Sequence, residues 1–279
     1  MTIDIKSVDF CGVSIPTLGQ GTWKMAERPA DRRQEIAALR HGIDLGLTLI
    51  DTAEMYAEGE AETLVGEVIA GQRDRVFLVS KAYPQNASKK RLPASCEASL
   101  NRLGTDRLDL YLLHWRGSIP LAETVEAMER LVERGKIRQW GVSNFDIDDM
   151  NDLLAAGGAN CATNQILYNL SRRGPEFKLM PWLAEHAIPV MAYSPVEQGR
   201  LLCNAGLRSM ADALGATPAQ VALAWALSRG SVLAIPKAGT VSHVEENQRA
   251  TELSLTPQDH ARLDQLFPKP THPSALKML

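Results

Sequence analysis

The sequence predicts an α/β fold, a single (β/α)8 TIM barrel that spans residues 1–279, with an N-terminal β-hairpin and an added C-terminal helix. Two observations predict it. Short apolar segments alternate with longer segments of helical period, and eight such alternations fit within about 250 residues, the usual size of this barrel. The short segments are apolar throughout, which is typical of parallel strands covered on both faces.

The predicted strands begin after a short segment at residues 7–15 (SVDFCGVSI), which reads as a small hairpin turned at Cys11-Gly12. In chain order the eight strands are residues 17–21 (TLGQG), 48–51 (TLID), 76–81 (VFLVSK), 108–114 (LDLYLLH), 137–142 (IRQWGV), 161–165 (CATNQ), 189–193 (PVMAY) and 232–236 (VLAIP).

The segments between the strands show helical spacing and helix start signals. Apolar residues recur at intervals of three and four at Leu92, Cys96, Leu100 and Leu103 and at Leu121, Val125, Met128 and Val132. Capping boxes are predicted at Thr217-Pro218-Ala219-Gln220 and at Ser242 with Glu245. Asp146 is expected to open a helix that stops at Gly157-Gly158, and residues 256–266 form the added helix, capped by Thr256-Pro257.

A doubly wound dinucleotide-binding fold is the alternative, and its fingerprint is G-x-G-x-x-G between a strand and a helix. Here Gly19-Gln20-Gly21 is followed by Thr22-Trp23-Lys24, so the third glycine is missing. The sequence therefore favours the barrel.

Composition excludes several functional classes. The formal net charge of −3 does not suit a nucleic-acid or anionic-membrane surface. Four widely spaced cysteines (11, 96, 161 and 203) and six scattered histidines predict neither a disulfide framework nor a clustered metal site. The first residues lack the pattern of a signal peptide, and no apolar run approaches 18 residues, so we expect a cytoplasmic protein.

Polar groups end three successive predicted strands, at the edge where barrels carry their function. Asp51, Lys81 and His114 are these groups, and Tyr56 follows Asp51 by five residues. Each alone has an ordinary explanation, as a turn aspartate, a loop lysine, a core histidine or a rim tyrosine. Because all four fall at the same end of the barrel, we expect them to converge.

The chemistry of these four groups is coherent. A tyrosine hydroxyl is a poor acid at neutral pH, and a neighbouring ammonium is expected to lower the pKa of Tyr56. Asp51 would fix Lys81 and keep it charged, while His114 can donate a hydrogen bond to a substrate oxygen. The set suits proton transfer to an oxygen that gains charge, and it contains no nucleophile–base pair for hydrolysis.

The later loops predict an anion site, because barrels often bind phosphate after strands seven and eight. Tyr193-Ser194-Pro195 and residues 196–201 follow one strand, and Lys237 precedes a helix that begins near Ser242. Free backbone N–H groups, the helix dipole and the ammonium would together attract phosphate. The predicted strand ends Ser143-Asn144 and Asn164-Gln165 carry polar groups that can bind the carboxamide of a nicotinamide.

The chain resembles the aldo-keto reductase superfamily over nearly its whole length. The resemblance is carried by residues 45–56 (LGLTLIDTAEMY), 108–115 (LDLYLLHW), 135–145 (GKIRQWGVSNF), 163–168 (TNQILY), 192–195 (AYSP) and 235–247 (IPKAGTVSHVEEN). Within the superfamily it looks most like bacterial reductases of methylglyoxal and other small aldehydes.

The resemblance implies an NADPH-dependent carbonyl reductase in which Asp51, Tyr56, Lys81 and His114 form the catalytic tetrad and Tyr56 donates the proton. It implies a small-molecule carbonyl substrate that meets Trp23, Tyr56, His114 and Trp115. The implied cofactor contacts are Gly21, Thr22, Trp23, Asp51, Ser143, Asn144, Gln165, Tyr193, Ser194, Pro195, Leu201, Lys237, Thr240, His243, Glu246 and Asn247.

Three departures from the family pattern bear on the cofactor. Ala238 replaces the usual serine after the lysine, and His243 stands where the family usually has arginine. A histidine is charged only at mildly acidic pH, whereas an arginine always is. The stretch after Tyr193-Ser194-Pro195 is also short, so a tight latch over the cofactor is not expected.

Other functions stay open on the sequence alone. Barrels of this kind also serve as nucleotide-binding regulatory or channel-associated subunits, and phosphosugar isomerases share the fold. The complete tetrad favours an enzyme. Residues 268–279 contain few aromatics, which predicts an open pocket mouth and favours small or polar aldehydes over steroids.

Overall fold

The computed structural model describes residues 6–10 and 12–279. In this part of the chain an antiparallel hairpin comes first, and eight parallel strands then follow one another in sequential order around a barrel. The strands are β1 (Ser7–Phe10), β2 (Val13–Pro16), β3 (Gln20–Gly21), β4 (Leu49–Asp51), β5 (Phe77–Ala82), β6 (Leu108–Leu113), β7 (Ile137–Ser143), β8 (Asn164–Leu167), β9 (Val190–Tyr193) and β10 (Val232–Ile235).

The first and last barrel strands meet through backbone hydrogen bonds. Gly19 N donates to Ala234 O at 2.8 Å, and Ala234 N donates to Thr17 O at the same distance. Gly21 N donates to Pro236 O at 3.0 Å. These bonds join the two edges of the sheet, so the predicted barrel is confirmed and the doubly wound alternative is wrong.

One strand lies later in the chain than the sequence predicted. β8 begins at Asn164, not at Cys161, and extends two residues past Gln165 to Leu167. Asn164 pairs with Val142 of β7, and its side chain exchanges hydrogen bonds with the backbone of Phe145 at 2.8 and 3.4 Å. Asn164-Gln165 therefore opens the strand and does not end it.

The helices surround the barrel wall, and two of them, not one, separate β9 from β10. They are α1 (Arg32–Asp44), α2 (Glu60–Ile69), α3 (Arg91–Leu103), α4 (Leu121–Glu133), α5 (Ile147–Ala155), α6 (Leu179–Glu185), α7 (Ala205–Ala213), α8 (Pro218–Leu227), α9 (Val241–Arg249) and α10 (Pro257–Leu266). The predicted apolar stripe of α3 is fully buried, and burial raises the pKa of its Cys96 thiol to about 12.

Three predicted helix starts are confirmed, and one is wrong. Asp146, Thr217 and Thr256 each cap a helix through a capping box. α9, however, is capped by Thr240, whose Oγ1 accepts a hydrogen bond from His243 N at 3.2 Å. Thr240 has the extended backbone that a capping residue needs, whereas Ser242 already lies inside the helix.

The hairpin closes the end of the barrel at which the strands begin. Phe10 packs edge-on against Phe77, the first residue of β5, with ring centroids 5.6 Å apart. Ile15 joins the same apolar cluster, which fills the barrel interior. The opposite, carboxyl end of the barrel is thereby left for the site. The predicted hairpin is confirmed, although Cys11 of its predicted turn lies outside the described residues.

No helix in the described part of the chain is both long and apolar enough to cross a membrane. The same residues contain no group of three or more histidine, cysteine, aspartate or glutamate side chains arranged to hold a metal ion.

The cap of α8 gives a direct test of the fold. Thr217 Oγ1 accepts a hydrogen bond from Gln220 N at 3.2 Å, and Gln220 Oε1 accepts one from Thr217 N at 2.9 Å. Thr217→Ala should lower the free energy of unfolding by about 1 kcal/mol in urea titrations, whereas Thr217→Ser keeps the hydroxyl and should cost much less. Equal losses in the two variants would contradict the capping role.

Candidate functional site

The strand register places two opposite charges inside the barrel, side by side. Alternate residues of a strand face the same side, so Leu49 and Asp51 of β4 point inward, as do Val79 and Lys81 of β5. Asp51 and Lys81 are 2% and 0% exposed. The predicted position of Lys81, with its stem lining the barrel, is therefore confirmed.

The Lys81 ammonium is the centre of the candidate active site. Its Nζ donates to Asp51 Oδ2 at 2.8 Å, to Thr52 O at 2.9 Å and to Tyr56 Oη at 3.0 Å. An ammonium has three protons, so all three are used. The structure thus brings together three of the four predicted catalytic residues through direct bonds.

Burial changes the acidity of this cluster in a way that differs from the sequence-based expectation. The pKa of Tyr56 is raised well above its ordinary value, first by burial and then by the Asp51 charge. The pKa of Lys81 is lowered by burial, and the nearby Asp51 carboxylate opposes that shift. The expected lowering of the pKa of Tyr56 is therefore wrong, because loss of water on burial and the Asp51 charge both raise it.

His114 completes the predicted tetrad on the neighbouring wall. Its ring contacts Tyr56 edge-on, with centroids 5.8 Å apart, and lies 5.0 Å from the Trp115 ring. Burial, followed by the Lys81 charge, lowers the pKa of His114 to about 2. The imidazole is therefore neutral at physiological pH. Its Nδ1 is buried with no hydrogen-bond partner among the described residues.

Amide and hydroxyl side chains lie next to Asp51, on the side of the carboxylate that Lys81 does not occupy. Gln165 Nε2 donates to the second oxygen of Asp51 at 2.8 Å, and Ser143 Oγ donates to Gln165 O at 2.8 Å. Tyr193 Oη donates to Asn144 Oδ1 at 2.8 Å. These four predicted cofactor contacts form one connected surface beside Asp51.

The loop that carries Tyr56 is fixed by a carboxylate that the sequence reading did not single out. Glu54 Oε1 accepts hydrogen bonds from Tyr83 N at 2.7 Å and Asn86 Nδ2 at 3.0 Å. Its Oε2 accepts one from Ser95 Oγ at 2.7 Å. Glu54 therefore connects the loop that carries Tyr56 to the loop after β5. In the sequence, only its position close to Asp51 indicated such a role.

A cavity of about 590 Å³ opens at this end of the barrel, within the size range of ligand sites. It extends from the tetrad to the start of α9. Its lining includes most of the predicted contacts: Gly21, Trp23, Asp51, Tyr56, His114, Trp115, Ser143, Asn144, Gln165, Tyr193, Ser194, Pro195, Lys237, His243, Glu246 and Asn247.

Four predicted residues do not line the cavity. Lys81 and Thr22 are fully buried, and Thr22 Oγ1 donates to Asp51 O at 3.0 Å. Leu201 packs into the core, while its neighbour Leu202 reaches the cavity. Thr240 serves as the cap of α9.

The sequence reading missed several lining residues, among them Met55, Ala219, Met278 and Leu279. The last two matter most, since residues 268–279 were expected to leave the mouth open. Met278 and Leu279 are about half exposed at this mouth. The segment that carries them has no helical or strand periodicity, so its path could not be predicted.

The far end of the cavity has the donors that a phosphate-bearing ligand needs. Lys237 is exposed there, and α9 begins four residues later, so the positive end of its dipole lies near this ammonium. The loop after β9 has left-handed backbone at Ser194 and Gln198, and its buried Glu197 is held by Arg172 Nη2 at 2.6 Å. The donor set and the cavity size therefore fit a dinucleotide.

Comparison with known proteins gives one consistent result. A model of the aldo/keto reductase family matches residues 17–267. The chain is 53% identical to methylglyoxal reductase YeaE of Escherichia coli K12, over 98% of this chain and 99% of the relative. It is 33% identical to methylglyoxal reductase DkgB of E. coli O157:H7, over 88% of this chain and 91% of the relative.

Solved structures agree with these matches. An aldo-keto reductase from Klebsiella pneumoniae in complex with NADPH is 53% identical and superimposes with a TM-score of 0.97, covering 99% of this chain and all of its own. A second structure from the same organism, in complex with NADP and acetate, gives a TM-score of 0.96 with the same identity and coverage.

The buried Asp51–Lys81 pair predicts a coupled effect on stability. Lys81→Met leaves the Asp51 carboxylate buried without its ammonium and should cost about 3–5 kcal/mol of unfolding free energy. Adding Asp51→Asn removes the orphaned charge, so the double variant should be more stable than the sum of the two single losses implies. Urea unfolding of the three variants measures this, and additive losses would contradict the pairing.

Proposed function

The chain belongs to the aldo/keto reductase family, and from this premise we propose that it reduces methylglyoxal and other small aldehydes or ketones to alcohols with NADPH, using Tyr56 as the proton donor. The observation that carries the proposal is the 3.0 Å contact between Lys81 Nζ and Tyr56 Oη, in the wall of a cavity of about 590 Å³. We also propose that residues 1–279 form one domain.

Tyr56 is suited to act as an acid in the reduction. A phenol is protonated at physiological pH, and burial raises the pKa of Tyr56 further, so a proton is present on Oη for transfer to the carbonyl oxygen. When the proton leaves, the negative charge forms on Oη, 3.0 Å from the Lys81 ammonium. Because this attraction acts in a buried site and grows with the charge, it favours the transition state over the ground state.

Asp51 acts on this step through Lys81. The carboxylate offsets the cost of burying the ammonium and holds it 2.8 Å away, so that its third proton faces Tyr56. Gln165, in turn, holds the second carboxylate oxygen. We assign Asp51 the role of a positioning residue, and Lys81 the role of stabilising the phenolate.

His114 is suited to orient the carbonyl. Since the imidazole is neutral, one ring nitrogen carries a proton and the other does not. A buried lone pair without a partner costs less than a buried N–H without one. The unpartnered Nδ1 therefore favours the tautomer with its proton on Nε2, which can donate to the carbonyl oxygen.

NADPH, when bound, supplies the hydride that reduces the carbonyl carbon. We propose that Ser143, Asn144, Gln165 and Tyr193 hold its nicotinamide, with Gly21, Thr22 and Trp23 beside it. Ser194 and Pro195 would lie along the pyrophosphate, with Leu202 in the place expected of Leu201, which packs into the core. Lys237, Thr240, His243, Glu246 and Asn247 would hold the adenosine end, with Lys237 at the 2′-phosphate.

The substrate class is supported by the relatives and by the mouth of the cavity. The two curated relatives described above are named methylglyoxal reductases. Trp23, Trp115 and Met55 line the carbonyl end, where Met278 and Leu279 narrow the entrance. We propose that this apolar opening accepts small carbonyl compounds. No feature of the site favours the regulatory or isomerase alternatives.

Removal of the Tyr56 hydroxyl tests the proposed mechanism. In Tyr56→Phe, kcat for methylglyoxal should fall by about 10²–10⁴-fold or more, because the carbonyl oxygen loses its proton donor. The dissociation constant for NADPH should hardly change. Tyr111→Phe is a matched control, since this tyrosine lies outside the barrel interior with Ser95 Oγ at 3.3 Å. Wild-type turnover in Tyr56→Phe would exclude it as the donor.

His243 offers a test of the adenosine end. His243→Arg should raise the NADPH-to-NADH ratio of kcat/KM by up to about fivefold, because the guanidinium adds a permanent, planar cation beside the 2′-phosphate. His243→Gln, which adds no charge, is the matched control and should not raise the ratio. A ratio that does not respond to His243→Arg would show that His243 does not face the phosphate.

A further inference from the structure

A buried carboxylate lies directly behind the adenosine end of the cavity. Glu35, in the first turn of α1, is only 4% exposed. Its Oε2 accepts a hydrogen bond from Ala26 N at 2.9 Å, which holds it to the loop after β3. Its Oε1 lies 4.0 Å from Lys237 Nζ. One side chain thus joins two loops that flank the cavity.

The start of α1 and the Lys237 loop pack closely at this point. Gln34 Nε2 donates to Gly239 O at 3.1 Å. A Cβ added to Gly239 would lie 2.9 Å from Lys237 Nζ and 3.8 Å from Glu35 Cγ, so both side chains lie against this glycine. Lys237 is therefore folded back toward Glu35, with 40% of its side chain still exposed.

This geometry sets two anions in competition for one ammonium. The Glu35 carboxylate cannot turn to solvent, because it is buried and bonded to Ala26 N. A 2′-phosphate would approach Lys237 from the cavity side. The negative charge behind the lysine lowers the positive potential that the phosphate meets, while adenosine without the phosphate is much less affected.

We propose that Glu35 is a specificity-determining residue that weakens the preference of this protein for NADPH over NADH. It does so by offsetting the charge of Lys237 and by holding the ammonium back from the phosphate. The inference rests on the proposed function, since it assumes that Lys237 faces the 2′-phosphate.

The test measures binding of the two dinucleotides without any carbonyl substrate. Glu35→Gln keeps an oxygen that can accept from Ala26 N but removes the charge. The dissociation constant for NADPH, measured by calorimetry, should fall by about threefold to tenfold, while that for NADH stays nearly constant. Glu35→Asp draws the carboxylate back from Lys237 and should shift the ratio in the same direction by less.

Matched variants separate charge from structure. Glu27→Gln removes an equal charge from an exposed position on the same loop and should leave both constants unchanged. In a Lys237→Met background, Glu35→Gln should lose most of its effect, because the ammonium it acts through is gone. A purely structural role would instead weaken both dinucleotides together.

The outcomes also separate this inference from the function it rests on. An unchanged or reduced NADPH-to-NADH preference in Glu35→Gln, with the wild type binding NADPH, overturns the inference alone. A wild-type protein that binds neither dinucleotide overturns the proposed function as well.

Discussion

The buried ion pair between Asp51 and Lys81 is the constraint on which the rest of the site depends. Two charges inside a barrel are costly unless each is paired and fully hydrogen-bonded. Here Lys81 Nζ uses all three protons, and Gln165 occupies the second oxygen of Asp51. The last partner of the lysine is the Tyr56 hydroxyl, so the bonds that satisfy the buried charge also place the proposed proton donor at the cavity wall.

Most of this arrangement could be predicted because it follows from strand periodicity. A charged residue at the end of an apolar strand faces either the barrel interior or a helix. In β4 and β5 the side chains alternate between the two sides, and this alternation directs Asp51 and Lys81 to the interior. Neighbouring strands then bring Asp51 and Lys81 together without any further information. The same reasoning placed His114 and Tyr56, since both follow strand ends at the same edge.

What could not be predicted depends on desolvation and on long-range packing. The pKa of Tyr56 rises because of burial and the Asp51 charge, and the local sequence does not show how deeply the side chain is buried. β8 begins at Asn164, whose side chain bonds to Phe145 nineteen residues away, a contact that no local pattern predicts. Met278 and Leu279 line the cavity mouth at the end of a segment without helix or strand. No sequence pattern could predict their position.

The two ends of the cavity are governed by different physics. At the carbonyl end the charged groups are buried, so their interactions are strong and weakly screened, and a single substitution affects both stability and chemistry. At the end proposed to hold the adenosine, Lys237 and His243 are exposed, so their attraction for a phosphate would be modest and sensitive to salt. Glu35 is the exception there, a buried charge beside an exposed one. Because Glu35 is proposed to act through Lys237, its influence on cofactor choice should weaken at salt concentrations that screen the attraction between Lys237 and a phosphate.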